Sequence, residues 1–340
     1  MDKGNYTDKY NYVILAGTWD LYKRAYEELL IAENVKYIEE NKLDNNILFL
    51  IKKIHFNQKL NKIINLPGKS FWNKLIIKFK FIKSKPICFI IFLNWVTNES
   101  DIIKYIKKKY PNSKIVIIIN DLIRTIRYRY TNEPLYIENL KKDSDIIISF
   151  DFKDAEKYNL LYYPIPYSKP KFFKQDRLIY DIYLLAKVKD RFDKILTVYK
   201  YLKKYNLNIK FILMGVPIEK RINLDGIEYS DKFMTYDENL NYIQKSKCLL
   251  EIMQGEGTGY TIRTGEAIVY DKFIITNNPY ILKAPFYNPD YIIYFERTED
   301  INPNFLHELK KNKIINYTEE SKMFFSPKKL LEFIENKLNP

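Results

Sequence analysis

Gln254-Gly255-Glu256-Gly257-Thr258-Gly259-Tyr260-Thr261-Ile262-Arg263-Thr264-Gly265-Glu266-Ala267 is the stretch whose reading decides the fold. It is preceded by Cys248-Leu249-Leu250-Glu251-Ile252-Met253 and followed by Phe273-Ile274-Ile275-Thr276-Asn277-Asn278, two apolar runs. The order is strand, glycine-rich turn, helix, strand. Of nine glycines in the chain, four fall between 255 and 265, so the turn takes a concentrated share of the positive-φ residue. A helix starting near Tyr260 would aim its free N–H groups and positive dipole end at the mouth of the turn, where phosphate binds well. Glu266 lies about two turns in, where a carboxylate can accept hydrogen bonds from sugar hydroxyls. The plainer alternative is a tight turn with an Arg263–Glu266 pair at i, i+3. Short glycine motifs do not decide between the two.

Bulk properties narrow the classes. The chain has 340 residues, which suggests two domains, and 46% hydrophobic residues, enough for two cores. Its net charge of +14 would attract nucleic acid, anionic lipid or nucleotide phosphates. Cys88 and Cys248 both sit in apolar runs and read as buried thiols. With no disulfide framework and no cysteine pairs at metal spacing, a cytoplasmic location is expected. The N-terminus has no apolar signal region, and no apolar run approaches the ~20 residues that span a bilayer. Only two histidines occur, His55 and His307, neither with an obvious Asp or Ser partner, which argues against histidine-driven chemistry.

Along the first half, Tyr12 to Gly17 reads as a buried strand ending in Gly17-Thr18-Trp19-Asp20, with a helix expected from Leu21 to Asn41. Carboxyl ends of strands are where open α/β sheets take ligands, which makes this turn a candidate site; Asp20 as a helix N-cap is the structural alternative. Further strands are expected at Ile47 to Ile51, Ile87 to Leu93, Ile115 to Ile119 and Asp145 to Phe150. Helices are expected at Glu99 to Tyr110 and Glu133 to Lys142. Strands alternating with helices imply a doubly wound sheet. Asp121 follows a strand beside Arg124, Arg127 and Arg129. From Lys69 to Lys85 six lysines and no acid accompany Phe71, Trp72, Leu75, Ile76 and Phe79 at helical spacing. That composition suits a helix lying on an anionic membrane surface, or an ordinary helix with a solvated lysine face. Tyr162 to Pro170, with three prolines, reads as the crossing to a second domain, the boundary falling at 170 to 178. The second half repeats the alternation, with strands at Asp181 to Ala186, Lys210 to Met214, Cys248 to Met253, Phe273 to Thr276 and Tyr291 to Phe295. Helices are expected at Arg191 to Tyr205, Tyr236 to Ser246, Tyr260 to Tyr270 and Ser326 to Leu338. Lys187, Lys189 and Arg191 after the first of these strands could hold a diphosphate.

Gln254, Gly257, Gly259, Thr261, Arg263, Glu266 and Ala267, followed by Lys272-Phe-Ile-Ile-Thr-Asn-Asn278, resemble the donor-site signature of bacterial GT-B glycosyltransferases of capsule and lipopolysaccharide assembly. Asp181 to Arg191, Tyr236 to Ser246 and Pro285-Phe-Tyr-Asn-Pro289 add to the resemblance, which covers about 150 to 300. It implies an α/β protein of two Rossmann-like domains facing a cleft, 1–172 taking an acceptor and 173–325 a nucleotide sugar, with 326–340 a C-terminal helix that crosses back to the first. The implied reaction moves a hexose, most simply from a UDP-sugar, to a lipid-linked or oligosaccharide acceptor at the inner face of a plasma membrane. The implied donor residues are Lys187, Lys189, Arg191, Gln254, Gly257, Thr258, Gly259, Tyr260, Thr261, Arg263 and Glu266; Gly17, Thr18 and Trp19 would meet the acceptor. No Asp-x-Asp motif stands at a strand end, so no metal cofactor is expected. Ala186 departs from the glycine the family places there. Thr258 stands where the first of two paired glutamates of retaining enzymes would fall, which favours inversion with Asp20, or else Asp121, as general base. A GT-B-like nucleotide-sugar epimerase is one competing reading. The other is a non-catalytic basic module binding membrane or nucleic acid, although no nucleic-acid motif is present.

Overall fold

Apolar runs, rich in isoleucine in the first half and in leucine at the middle of the second, form the centre of each half of the computed structural model. Asn11–Ala16 (β1), Val35–Glu39 (β2), Ile87–Phe92 (β3), Lys114–Ile119 (β4), Ile146–Ser149 (β5) and Leu161–Tyr162 (β6) pair in the order β2-β1-β3-β4-β5-β6, all parallel. Tyr180–Lys187 (β7), Ile209–Met214 (β8), Ile227–Ser230 (β9), Ser246–Glu251 (β10), Phe273–Thr276 (β11) and Ile292–Tyr294 (β12) pair in the order β12-β11-β10-β7-β8-β9, again all parallel. The structure describes residues 9–40, 43, 45–64, 66–97, 101–124, 137–169, 177–255, 257–311 and 313–339. Arg127, Arg129, Glu256, Pro170 and most of the expected 170–178 crossing lie outside them.

A parallel sheet covered on both faces needs apolar side chains pointing both ways. Val13, Leu15, Phe89, Ile91 and Ile117 enter one core of the first domain, while Tyr12, Ile14, Cys88, Ile90 and Val116 enter the other. The chain forms two compact units, Met1–Pro164 with Pro327–Pro340, and Ile165–Ser326. The helix Pro327–Leu338 therefore belongs to the first unit, where Leu330, Leu331 and Ile334 are fully buried on the Tyr12 face. Burial of each such side chain contributes about 1.5–3 kcal/mol.

Both sheets reverse their strand order once, between β1 and β3 in the first and between β7 and β10 in the second. Those reversals open crevices at the carboxyl ends of the strands. Both cysteines are free and buried, and burial pushes each thiol well above its ordinary pKa, so neither is a nucleophile. Among the described residues no helix is long and apolar enough to cross a membrane.

Several expectations are corrected. The helix after β1 is short, Asp20–Ala25, and the stretch expected to continue it contains β2. β2 is an edge strand with an alternating, half-buried pattern, so it lacks the unbroken apolar run that marks its neighbours. Ile47 to Ile51 is helix, not strand: Asn45 caps Asn46–His55 by accepting from the backbone N–H of Ile47 and Leu48. The basic stretch 69–85 forms only the short helix Phe71–Ile76. Trp72, Ile76 and Ile77 are buried in the first core, and Leu75 and Phe79 pack against it, so of the face expected to meet lipid only Phe71 is exposed. β6 and β9, two short strands, were not expected at all.

Lys272 is buried at the start of β11, its Nζ donating to Gln244 O at 3.0 Å. Burial lowers its pKa from 10.5 to about 8, against a smaller opposite pull from Asp271. Between those values the native chain binds fewer protons than the unfolded chain, so stability rises with pH; below about 8 the lysine is charged in both states and its burial costs stability. Relative to Lys272→Met, the native chain should gain up to about 3 kcal/mol across that window, read from urea midpoints. A flat difference would mean that the lysine stays charged in the fold.

Candidate functional site

The crevice of the second sheet is built from two loops. One, Val188–Arg191, leaves β7; the other, Ile252–Thr261, leaves β10 and carries the glycines. Arg191 joins them: its guanidinium donates to Lys187 O at 2.5 Å, Ile252 O at 2.6 Å and Val188 O at 3.4 Å. Burial lowers its pKa, partly offset by Asp190 and Glu251. Lys189 stands beside it in left-handed backbone, φ 47°, and its Nζ donates to Gln254 Oε1 at 2.6 Å. Lys187 is exposed, its ammonium 5.6 Å from the Phe233 ring centroid.

From the other side β11 pins the glycine loop. Asn277 Oδ1 accepts from Met253 N at 2.7 Å, and Asn278 Nδ2 donates to Gly259 O at 3.1 Å. Within the loop, Gly255 takes φ 52°, and Gly257 N donates to Gln254 O at 3.2 Å. Gly265 serves packing instead: a Cβ there would stand 3.3 Å from the Tyr167 Cβ and 3.4 Å from the Phe325 ring. The helix itself is Ile262–Val269, capped by Thr261, whose hydroxyl accepts from Arg263 N.

Beneath the loop lies a carboxylate that sequence reasoning did not single out. Glu251, the last residue of β10, is buried and accepts from three hydroxyls: Thr261 and Thr264 (3.0 Å) on Oε1 and Thr276 (2.5 Å) on Oε2. Its charge also faces the helix N-terminus, a favourable place for an anion. An acid closing the apolar run Cys248-Leu249-Leu250 was the available signal.

Glu266 and Arg263 form a second buried group. Their ion pair is 2.8 Å, without hydrogen-bond alignment. Glu266 Oε1 accepts from Tyr236 at 2.8 Å and Asn239 Nδ2 at 3.2 Å; Tyr183 Oη in turn donates to Asn239 Oδ1 at 3.0 Å. Arg263 donates to Leu185 O at 3.2 Å and stacks over Tyr183. Burial raises the Glu266 pKa, partly offset by Arg263 and the two hydrogen bonds. Burial works to lower the Arg263 pKa, but Glu266 and its neighbours outweigh it and hold it above the ordinary value. A ribose hydroxyl would have to displace one of these partners to reach Glu266. The pair at i, i+3 exists as the plainer reading of the sequence had it. Of the donor residues named from sequence, Lys187 and Lys189 are exposed, Gln254 and Gly257 are half-buried, Thr258, Gly259 and Tyr260 are buried in the loop, and Arg191, Thr261, Arg263 and Glu266 are engaged within the protein.

The first sheet's crevice holds Gly17, Thr18, Trp19 and Asp20. Gly17 is buried, and a Cβ on it would press within 3.2 Å of the Tyr22 ring. Trp19 is exposed and stacks on Tyr22 with centroids 6.1 Å apart. Tyr22 contacts Asn120 Nδ2 at the end of β4, and Asn94 Nδ2 after β3 donates to Glu40 Oε2 at 2.6 Å. Asp20 is exposed at the first helical position; the N-cap is Trp19, so the capping alternative does not hold. Asp121 Oδ1 accepts from Leu122 N at 2.9 Å at the end of β4. Thus Asp20 and Asp121 follow β1 and β4 of one sheet, two strands that have β3 between them.

No family model matches the chain, and no curated protein matches it in sequence. The fold is shared with solved structures. Sucrose-phosphate synthase from Thermosynechococcus elongatus aligns with a TM-score of 0.54 at 10% identity, covering 97% of this chain and 99% of that one. T4 phage BGT in complex with its UDP-glucose substrate aligns at 0.45 and 14% identity, over 96% of both chains. A glycosyltransferase from Rickettsia africae ESF-5 aligns at 0.45 and 11%, over 98% of this chain and 100% of that one. With its two doubly wound parallel sheets, the chain has the α/β fold of GT-B proteins.

Glu251→Ala would strand three threonine hydroxyls and remove charge-assisted hydrogen bonds worth about 1.5–3 kcal/mol each. Because the hydroxyls can find water or backbone partners in part, a net loss of about 2–4 kcal/mol is expected by urea denaturation, with Thr276→Val losing roughly 1 kcal/mol. A loss in Glu251→Ala no greater than in Thr276→Val would mean that the three hydroxyls are not joined through this carboxylate.

Proposed function

We propose that the protein is a glycosyltransferase that moves a hexose from a nucleotide sugar, a UDP-sugar first among them, to a lipid-linked surface glycan at the inner face of a bacterial plasma membrane. The observation that carries the reading is the position of the glycine loop: it leaves β10 where the strand order of its sheet reverses, beside Lys187 and Lys189 and ahead of a capped helix. Such a crevice suits a nucleoside diphosphate, because amides at a helix start and nearby ammonium groups both favour the charge that leaves with it.

In this reading Gln254, Gly257 and the amides from Thr258 to Thr261 cradle the diphosphate, with Lys187 and Lys189 supplying positive charge in place of a metal. Arg191, Arg263 and Glu266 hold the loops in shape; a rotation of the Tyr236 hydroxyl would open Glu266 to a ribose hydroxyl. The first domain contributes the acceptor side. Trp19, exposed and already stacked on Tyr22, offers an aromatic face to a sugar, with Gly17 and Thr18 beside it. Asp20 takes the proton from the acceptor hydroxyl as that oxygen bonds to the anomeric carbon and the bond to the diphosphate breaks, inverting the configuration. Asp121 is the second choice for the base, since its Oδ1 already serves the backbone of its own turn.

Two variants separate donor binding from chemistry. Lys189→Met should weaken UDP binding about tenfold or more by calorimetry, the loss of one charge-assisted contact. Asp20→Asn should leave UDP binding intact while turnover of the UDP-sugar falls by roughly 10²–10⁴. Binding of UDP that is unaffected by Lys189→Met would remove the donor assignment. Near-normal turnover in Asp20→Asn would pass the base to Asp121, and release of a free epimer would identify an epimerase.

A further inference from the structure

The helix Asn46–His55 in the first domain is inside out. Its inward side carries Leu48, Lys52, His55 and Phe56; Lys52 is only 5% exposed, its Nζ donating to Glu40 O at 2.5 Å. Its outward side carries Ile47, Leu50, Ile51 and Ile54, exposed by 70, 57, 48 and 51%. That spacing, i, i+3, i+4, i+7, is an apolar stripe of the kind a helix ordinarily buries. Burying a lysine while showing water four large aliphatic side chains is costly for an isolated surface.

The stripe does not stand alone. The segment after the helix is tied to it through His55, whose Nε2 meets Pro67 O at 2.9 Å and whose Nδ1 accepts from Trp72 Nε1 at 2.9 Å. This segment adds Ile63, Ile64 and Phe71, exposed by 82, 58 and 57%. With Phe49, eight of the eighteen exposed large hydrophobic residues among the described ones thus fall in 25 consecutive positions. Such a concentration marks an interaction surface rather than scattered surface residues.

Charge selects the occupant. Between Asp44 and Glu99 the chain carries ten lysines and no acid. Lys53, Lys59, Lys74, Lys78, Lys80 and Lys83 among them are exposed. A second copy would bring the same cationic face against this one, since a two-fold interface is self-complementary only in shape, and like charges there oppose association. An anionic bilayer instead offers apolar depth for the stripe and negative headgroups for the lysines. We propose that Asn46–His55, with Ile63, Ile64 and Phe71, lies in the interface of an anionic lipid bilayer and seats the protein there. Trp72 and Ile76 of the following helix are buried in the core, so the docking element is centred on Asn46–His55 and takes only Phe71 from the apolar face of the lysine-rich stretch. This inference rests on the surface alone and does not depend on the transferase reading.

Co-sedimentation with vesicles tests it without any substrate. The full chain should bind vesicles of phosphatidylcholine and phosphatidylglycerol, bind phosphatidylcholine alone at least about tenfold more weakly, and be released by salt, as screening requires. The variant Ile47→Gln, Leu50→Gln, Ile51→Gln, Ile54→Gln should lose binding by at least about tenfold, and Lys53→Gln, Lys59→Gln, Lys74→Gln should lose it in a salt-dependent way. All seven positions are exposed, so thermal melting should be retained or improved. Three results would overturn the proposal: no binding by the native chain, binding that the aliphatic variant retains, or a native dimer in sedimentation velocity that the aliphatic variant dissolves.

Discussion

One buried carboxylate holds three elements of the second domain together at the place where its sheet opens. Glu251 ends β10, Thr276 ends β11, and Thr261 and Thr264 begin the helix Ile262–Val269; all three hydroxyls converge on the one side chain. A buried charge without partners would be far too costly to keep, and three donors make it tolerable while fixing the distance between strand ends and helix. The glycine loop spans that fixed gap. Its entry is tied by Asn277 and its exit by Asn278, two successive residues that β11 delivers to the same edge. The loop is therefore flexible in composition but determined in position: glycine supplies the backbone freedom, and the strands on either side remove it.

Much of this was legible in the residues, and the failures have physical causes. Unbroken apolar runs such as Ile87 to Phe92 and Phe273 to Thr276 announce buried parallel strands because both faces must be covered. The runs that failed were at sheet edges: Val35–Glu39 and Ile227–Ser230 are half-exposed, so their pattern is polar enough to pass for helix or loop. Ile47 to Ile51 failed in the opposite sense. Its aliphatic run has the composition of a strand, yet Asn45 caps a helix there, and Ile47, Phe49, Leu50 and Ile51 face outward. In the site, glycines and cations could be located because they are rare or charged. What each cation does could not, since a guanidinium that binds carbonyls and one that awaits a phosphate have the same spacing in sequence.

That last distinction divides the basic residues around the glycine loop by type. Arg191 donates to three carbonyls, while Arg263 donates to one, lies over an aromatic face and is ion-paired with a carboxylate. The planar, weakly hydrated guanidinium with its fork of donors can satisfy several buried acceptors at once. Lysine cannot do so as well: its ammonium is strongly hydrated, and the buried Lys272 has its pKa drawn down to about 8 by desolvation. Exposed lysines stand at Lys187 and Lys189 beside the glycine loop, and at Lys53, Lys59 and Lys74 in and after the aliphatic helix. An ammonium on a long stem suits a polyanion of variable geometry, whether a diphosphate or a lipid headgroup layer. The arginines hold the loop in shape, and the lysines give it, and the first domain's surface, their charge.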